Sequence, residues 1–217
     1  MDIIPIREEY LISIFKLSET GQSVTNKNLS DRLGLTPPTV SEMIKKLKKE
    51  NYLKDKKTIE LTDEGKELVK KVLSKHRLWE YFFTEVLKFN WKDVHDNAAL
   101  FQSVTNDELF DKLNEYLGYP DRCPHGAVIY LNSEERNDDL VKLSHADKDK
   151  EYLVRRIKDE RSLLEYIDTL GIKLGDKIKI EGYEPFDQSA IILKAGQKIR
   201  ISPKATSEIF LKELKTK

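Results

Sequence analysis

The chain has 217 residues and a mass of 25.3 kDa, with 35% charged and 39% apolar residues, enough for two or three small domains. No apolar run approaches bilayer length, and "MDIIPIREEY" carries no secretory-signal pattern. A single cysteine rules out an intramolecular disulfide framework, so the reading is a cytoplasmic protein with no membrane partner.

From Arg7 to Leu17, "REEYLISIFKL" places Tyr10, Ile14 and Leu17 at helical spacing, and "ETGQS" breaks that helix. A second helix follows in "TNKNLSDRLGL", with Thr25 as cap, Leu29 and Leu33 facing inward and Gly34 in the turn. In "TPPTVSEMIKKLKKENYL", Thr36 caps a third helix and two prolines sit in its first turn, where a missing N–H costs little. Val40, Ile44 and Leu47 form its buried face, so Thr39, Glu42, Met43 and Lys46 point away. Two helices around a tight glycine turn predict a helix-turn-helix, and "YLKDKKTIELT" predicts two short strands around Lys56 and Lys57, a wing.

The zero net charge hides a basic island here: Lys45, Lys46, Lys48, Lys49, Lys54, Lys56 and Lys57 against Glu50 and Asp55. A lysine-rich helix face alone is ordinary solvated surface. Placed on the second helix and wing tip of such a module, it predicts contact with double-stranded DNA through Thr36, Pro37, Pro38, Thr39, Ser41, Glu42, Met43, Lys46, Lys56 and Lys57.

Thr62, Asp63 and Glu64 open a long helix, Asn90 caps another in "WKDVHDNAALFQSV", and Thr105 or Asn106 caps a third in "DELFDKLNEYLG". Their apolar residues, among them Phe82, Phe83, Trp91, Leu100, Phe101 and Leu109, exceed what such helices bury among themselves, which predicts a homodimer. After a polar linker, "NSEERNDD", the glycine-punctuated alternation in "GDKIKIEGY", "SAIILKAG" and "QKIRIS" predicts a small β-barrel carrying the helix "DERSLLEYIDTLG". The expected class is mainly α with a small β part. It comprises a winged helix-turn-helix over 1–73, a helical dimerisation domain over 74–137 and a small β-barrel domain over 138–217.

"DRCPHGAV" holds the lone Cys123 two residues before His125. By itself the pair is compatible with a buried small hydrophobe, a redox-responsive thiol, a catalytic nucleophile or half of a metal site, the last open to a metal-binding enzyme as well as a regulator. The ordered parts, with "PPTVSEMIKKL", "KHRL", "LGYPDRCPHG" and "LGIKLGDKIKI", resemble the diphtheria toxin repressor and manganese transport regulator family of metal-dependent transcriptional repressors. The resemblance spans essentially the whole chain, and it implies that the helical domain over 74–137 is a metal-binding and dimerisation domain and that the domain over 138–217 is SH3-like, FeoA-like. It implies a cytoplasmic homodimer on palindromic operators, with a divalent transition metal (Zn, Mn or Fe) at one main site per protomer and no enzymatic activity.

Matched position by position, the resemblance implies metal ligands Glu80, Cys123, His125 and Asp159, with His76 and His95 as ancillary ones. A thiolate, an imidazole and two carboxylates suit a first-row divalent ion. The family carries a second cluster on the helix after "VH", and here those positions are Ala99, Gln102 and Ser103, while Glu9 stands at the matching N-terminal acid. A methyl, an amide and a hydroxyl do not hold a divalent ion at regulatory affinity, which predicts weakened or lost metal switching.

Overall fold

A computed structural model describes residues 6–19, 23–133 and 140–214. The break expected in "ETGQS" and most of the "NSEERNDD" linker lie outside the described residues. The chain divides into two compact units: residues up to Trp79 with Ala98–Gly118, and Glu80–Asn97 with everything from Tyr119 onward.

In the first unit, α1 (Ile6–Glu19) buries Tyr10, Leu11 and Ile14. Helix α2 (Asn26–Leu33) starts where the Thr25 hydroxyl accepts from the Asn28 N–H and ends at Gly34, whose φ of 65° closes the turn. Helix α3 (Pro37–Lys49) is capped by Thr36 and buries Val40, Ile44 and Leu47, as its spacing predicts. The wing is shorter than expected. Leu53 and Leu61 form one antiparallel bridge in place of two strands, because the charged run from Lys54 to Lys57 has no apolar face to pack.

Helix α4 (Asp63–Glu85) begins with the Thr62 hydroxyl accepting from the Gly65 N–H. Gly65 is there for space, since a Cβ would lie 2.3 Å from the Tyr52 carbonyl oxygen at the wing base. The helix predicted from Asn90 divides: Asn90 caps a 3-10 turn over Trp91–Asp93, and α5 (His95–Val104) starts after Val94. Asn106 is the residue that caps α6 (Asp107–Tyr116). Lys75 donates to the Thr105 carbonyl at 2.6 Å and Trp79 Nε1 to the Thr105 hydroxyl at 2.7 Å, fixing α4 on the α5–α6 corner. Leu100, Phe101, Val104, Leu109 and Tyr116 stay exposed, Val104 at 73%.

Among the described residues of the second unit, six strands form one antiparallel sheet in the order β1-β6-β2-β3-β4-β5. They are β1 (Val141–Lys142), β2 (Glu151–Ile157), β3 (Lys177–Tyr183), β4 (Ala190–Lys194), β5 (Gln197–Ile201) and β6 (Ile209–Glu213). The sheet is open where a closed barrel was expected, because the two-residue β1 offers little backbone for closing it. Its core joins Tyr152, Val154 and Ile157 of β2, Ile178 and Ile180 of β3, and Leu163, Leu164 and Ile167 of α7 (Arg161–Thr169). A four-residue α8 (Pro203–Thr206) precedes β6.

Candidate functional site

Three second-unit segments build the candidate metal centre. The loop 121–129 is a closed hairpin: Arg122 bridges Val128, Cys123 N–H donates to the Ala127 carbonyl at 2.9 Å, and Gly126 N–H donates back to the Cys123 carbonyl at 2.9 Å. That last bond makes Cys123–Gly126 a β-turn with Pro124 at its second position, where proline's fixed φ fits. Cys123 and His125 therefore converge on one side, where an extended strand would splay them.

Gly126 has φ +83°, and a Cβ on it would lie 2.0 Å from the Arg155 carbonyl oxygen. Only glycine lets the loop approach β2 so closely. The Ile157 N–H then donates to the His125 carbonyl at 3.0 Å, which brings Asp159, two residues past the strand, to the same place.

Glu80, Cys123 and His125 are 2%, 4% and 1% exposed, and one donor atom from each falls within 4.8 Å of the others. His125 Nδ1 lies 3.8 Å from the Cys123 sulfur and 3.5 Å from Glu80 Oε2. Its Nε2 lies 2.8 Å from the Trp91 carbonyl, and the Trp91 indole stacks on the ring at 5.6 Å. Burial opposes a charge on His125, yet the Cys123 sulfur and the Glu80 carboxylate outweigh it and lift the imidazole to about 12.

Asp159 does not join the Cys123 side. Its Oδ1 lies 3.6 Å from His125 Nε2, on the far edge of the ring, and its Oδ2 pairs with His95 Nδ1. His95 Nδ1 also lies 3.7 Å from Glu80 Oε1, and the carboxylates, Asp159 above all, push its imidazole up to about 10. His76 lies one turn before Glu80 on α4 and is buried. The Trp91 carbonyl and the close packing of Gly126 have no side-chain signature, and sequence reasoning missed both.

The positions matched to the family's second cluster map to α5. Ala99 is half-buried, the Ser103 hydroxyl donates to the Leu100 carbonyl at 2.9 Å, and Gln102 is buried with no hydrogen-bond partner for Nε2 among the described residues. Glu9 is exposed. The buried Cys123 thiol lacks the accessibility of a redox-sensing thiol.

On the first unit, Thr36, Pro37, Pro38, Thr39, Glu42 and Lys46 are exposed and Met43 is half-buried. The Thr36 and Thr39 hydroxyls lie 2.9 Å apart, and Glu42 pairs with Lys45 at 2.7 Å. Ser41 is turned inward: it donates to the Pro37 carbonyl at 2.9 Å and accepts from Asn26 on α2 at 2.7 Å. Ser41 therefore sets the α2–α3 geometry. Lys56 and Lys57 are exposed on the wing, and Lys48 of α3 donates to the Lys56 carbonyl.

Comparison with known proteins places these parts. Residues 2–60 match the iron dependent repressor N-terminal DNA binding domain, 62–131 the iron dependent repressor metal binding and dimerisation domain, and 141–213 the FeoA domain. The structure of ScaR with bound Cd2+ superposes at a TM-score of 0.86 with 30% identity, covering 97% of this chain and 100% of that one. The chain belongs to the diphtheria toxin repressor and manganese regulator family of metal-dependent transcriptional repressors.

Among other members, a manganese-dependent transcriptional repressor in complex with manganese superposes at 0.88 with 26% identity over 96% of this chain and 100% of its own. The diphtheria toxin repressor of Corynebacterium efficiens is 26% identical over 193 residues, 82% of this chain and 84% of its own. The iron-dependent repressor IdeR of Mycobacterium tuberculosis is 28% identical over 130 residues, 59% of this chain and 56% of its own. The chain thus carries a family DNA-binding domain and a family dimerisation domain, and among the described residues no helix is long and apolar enough to cross a membrane.

Proposed function

We propose that this chain is a cytoplasmic, homodimeric, sequence-specific repressor of metal-homeostasis genes whose operator binding responds weakly, or not at all, to Mn(II) or Fe(II). Its working parts are the winged helix over 1–73, the helical segment over 74–137 and the SH3-like domain over 138–217. The observation that carries the reading is the contrast between two places. Glu80, Cys123 and His125 converge with buried donors, while Ala99, Gln102 and Ser103 offer no anionic or imidazole donor.

The donors at the first place fit a divalent ion. A thiolate, the His125 Nδ1 and a carboxylate suit Zn(II) better than Mn(II), and relatives have been crystallised with bound Mn, Cd and Zn. Glu80, Cys123 and His125 would hold the main ion, with Asp159 closing the far side of the His125 ring and His76 and His95 as ancillary donors. A bound ion would neutralise the buried thiolate and carboxylate. The Trp91 carbonyl, by accepting from Nε2–H, fixes the tautomer that presents Nδ1.

Thr39, Glu42, Met43 and Lys46 face the major groove in this reading, Thr36, Pro37 and Pro38 frame the start of the recognition helix, and Lys56 and Lys57 meet phosphate. The protein is non-enzymatic, acting by occupancy of a palindromic operator. The deciding experiment is a titration of Mn(II) or Fe(II) into chelated protein with labelled operator DNA. The expected change in affinity is below tenfold. A rise of a hundredfold, a coupling of about 2.7 kcal/mol, overturns the reading.

A further inference from the structure

We propose that the cavity beside Pro124 binds a small zwitterion with a flat apolar side chain, an aromatic α-amino acid, and that its occupancy is coupled to the candidate metal centre. The site stands apart from the proposed function. Only the coupling rests on the metal-binding part of that reading.

The cavity lies within the second unit and measures about 640 Å³, inside the range of about 300–1,000 Å³ usual for small-molecule sites. Trp91, Pro124 and Leu174 form its apolar wall, and each is half-buried. One face of the Trp91 indole is taken by His125. The rest of that aromatic surface suits a second ring, offset or edge-on.

The polar wall carries two charges of opposite sign, Glu85 and Lys173, neither of which has an ion-pair partner among the described residues. Glu85 is the last residue of α4, at the negative end of the helix dipole, and that last turn holds no basic residue. The end of α7 presents the same problem and solves it, because Asp168 there pairs with Lys92 at 2.7 Å. Glu85 therefore favours a ligand cation. Lys173 favours a ligand anion, and Asn90 adds to that preference. Its carbonyl oxygen already accepts from the Lys92 N–H, so only its NH2 is left to offer. A bare anion is repelled by Glu85 and a bare cation by Lys173, whereas an ammonium and a carboxylate on one small molecule answer both.

Thr84, also on the wall, keeps its hydroxyl oxygen buried with no hydrogen-bond partner among the described residues. A group of that kind marks a place where something outside the chain completes the bonding.

Two of the wall residues also support the metal centre. The Trp91 carbonyl accepts from His125 Nε2 at 2.8 Å, and Pro124 stands between Cys123 and His125 in the turn. A ligand that settles on Trp91 and Pro124 steadies the same parts that aim the His125 ring. Binding at the cavity and at the centre should therefore favour each other, by one and the same factor.

Calorimetric titration of metal-free, full-length protein with L-phenylalanine tests the site. Phenylacetate, which lacks the ammonium, and phenethylamine, which lacks the carboxylate, are the comparison probes. L-phenylalanine should bind about tenfold or more tighter than either. Both charged residues are exposed, so their replacement separates recognition from folding. Lys173→Ala should weaken L-phenylalanine and phenylacetate and spare phenethylamine. Glu85→Gln should weaken L-phenylalanine and phenethylamine and spare phenylacetate. No binding, or equal losses for all three probes in both variants, overturns the site. Zinc-loaded protein, dialysed free of excess metal, should bind L-phenylalanine about fivefold or more tighter than the metal-free chain. Equal affinity overturns the coupling. Chelator competition measures zinc separately: a chain that takes no zinc overturns the metal reading, and the coupling with it, but not the site.

Discussion

His125 Nε2 lies 2.8 Å from the Trp91 carbonyl, so the nitrogen facing Cys123 and Glu80 is Nδ1. A main-chain acceptor cannot be removed by side-chain substitution, which makes this orientation robust. Cys123→Ala removes the sulfur and leaves that orientation intact. Because loss of an outer partner alone costs about 10–100-fold in metal affinity, Zn(II) affinity should fall by at least that much. Competition with a chromogenic chelator measures it, and an unchanged affinity would remove Cys123 from the centre.

Gly126 gives a steric prediction. Gly126→Ala forces a φ of +83° on an alanine and drives its Cβ to 2.0 Å from the Arg155 carbonyl oxygen. The backbone strain alone costs about 1–3 kcal/mol, and the clash adds to it. Urea unfolding of the metal-free protein should show the loss, together with weaker Zn(II) binding.

The pH dependence should change sign with metal. In the metal-free protein Asp159 and Glu80 raise His95 from the usual 6.5 to about 10. A group raised in the folded state contributes stability that is complete below about pH 6.5 and is lost as pH climbs through about 10. Metal binding needs the same nitrogen free of its proton, so metal affinity should rise over that window. Calorimetry in buffers of different ionisation enthalpy should record protons released on binding. A pH-independent affinity would exclude His95 and His125 from the site.

On the wing, Lys56→Ala with Lys57→Ala should weaken binding to every DNA sequence alike. The slope of log affinity against log salt should drop by about one unit per lost phosphate contact. Intact salt dependence would move the contact away from the wing.

The exposed apolar row on α5 and α6 gives the last prediction. Val104, 73% exposed, and Leu109, 44% exposed, should lie within the homodimer contact. Val104→Asp with Leu109→Asp should shift sedimentation from twice the chain mass to once, with loss of tight operator binding. A variant that stays dimeric places the contact elsewhere.

Local rules made much of this legible from residues alone. Thr25 and Thr36 cap their helices and Gly34 turns between them, because those effects act over a few residues. The Cys123 and His125 convergence was readable through Pro124 for the same reason. What was not readable depends on distant backbone. The wing strands shrink to one bridge at Leu53 and Leu61, the helix from Asn90 breaks at Val94, and Asp159 falls on the His95 side of the ring. Spacing cannot tell which edge of an imidazole a carboxylate approaches when the two are brought together by Ile157 pairing with the His125 carbonyl.

The loop 121–129 is held by its own main-chain bonds and by the seat of Gly126 against β2, none of which involves a ligand atom. Its shape therefore outlasts the ion. Zinc arriving there would find a rigid socket and would release little folding free energy beyond its effect on the site's charges. Its loss would return protons to the His125 and His95 rings in an unchanged frame. A cell that starves this protein of metal would alter its electrostatics long before its architecture, so any message sent from this centre travels as charge.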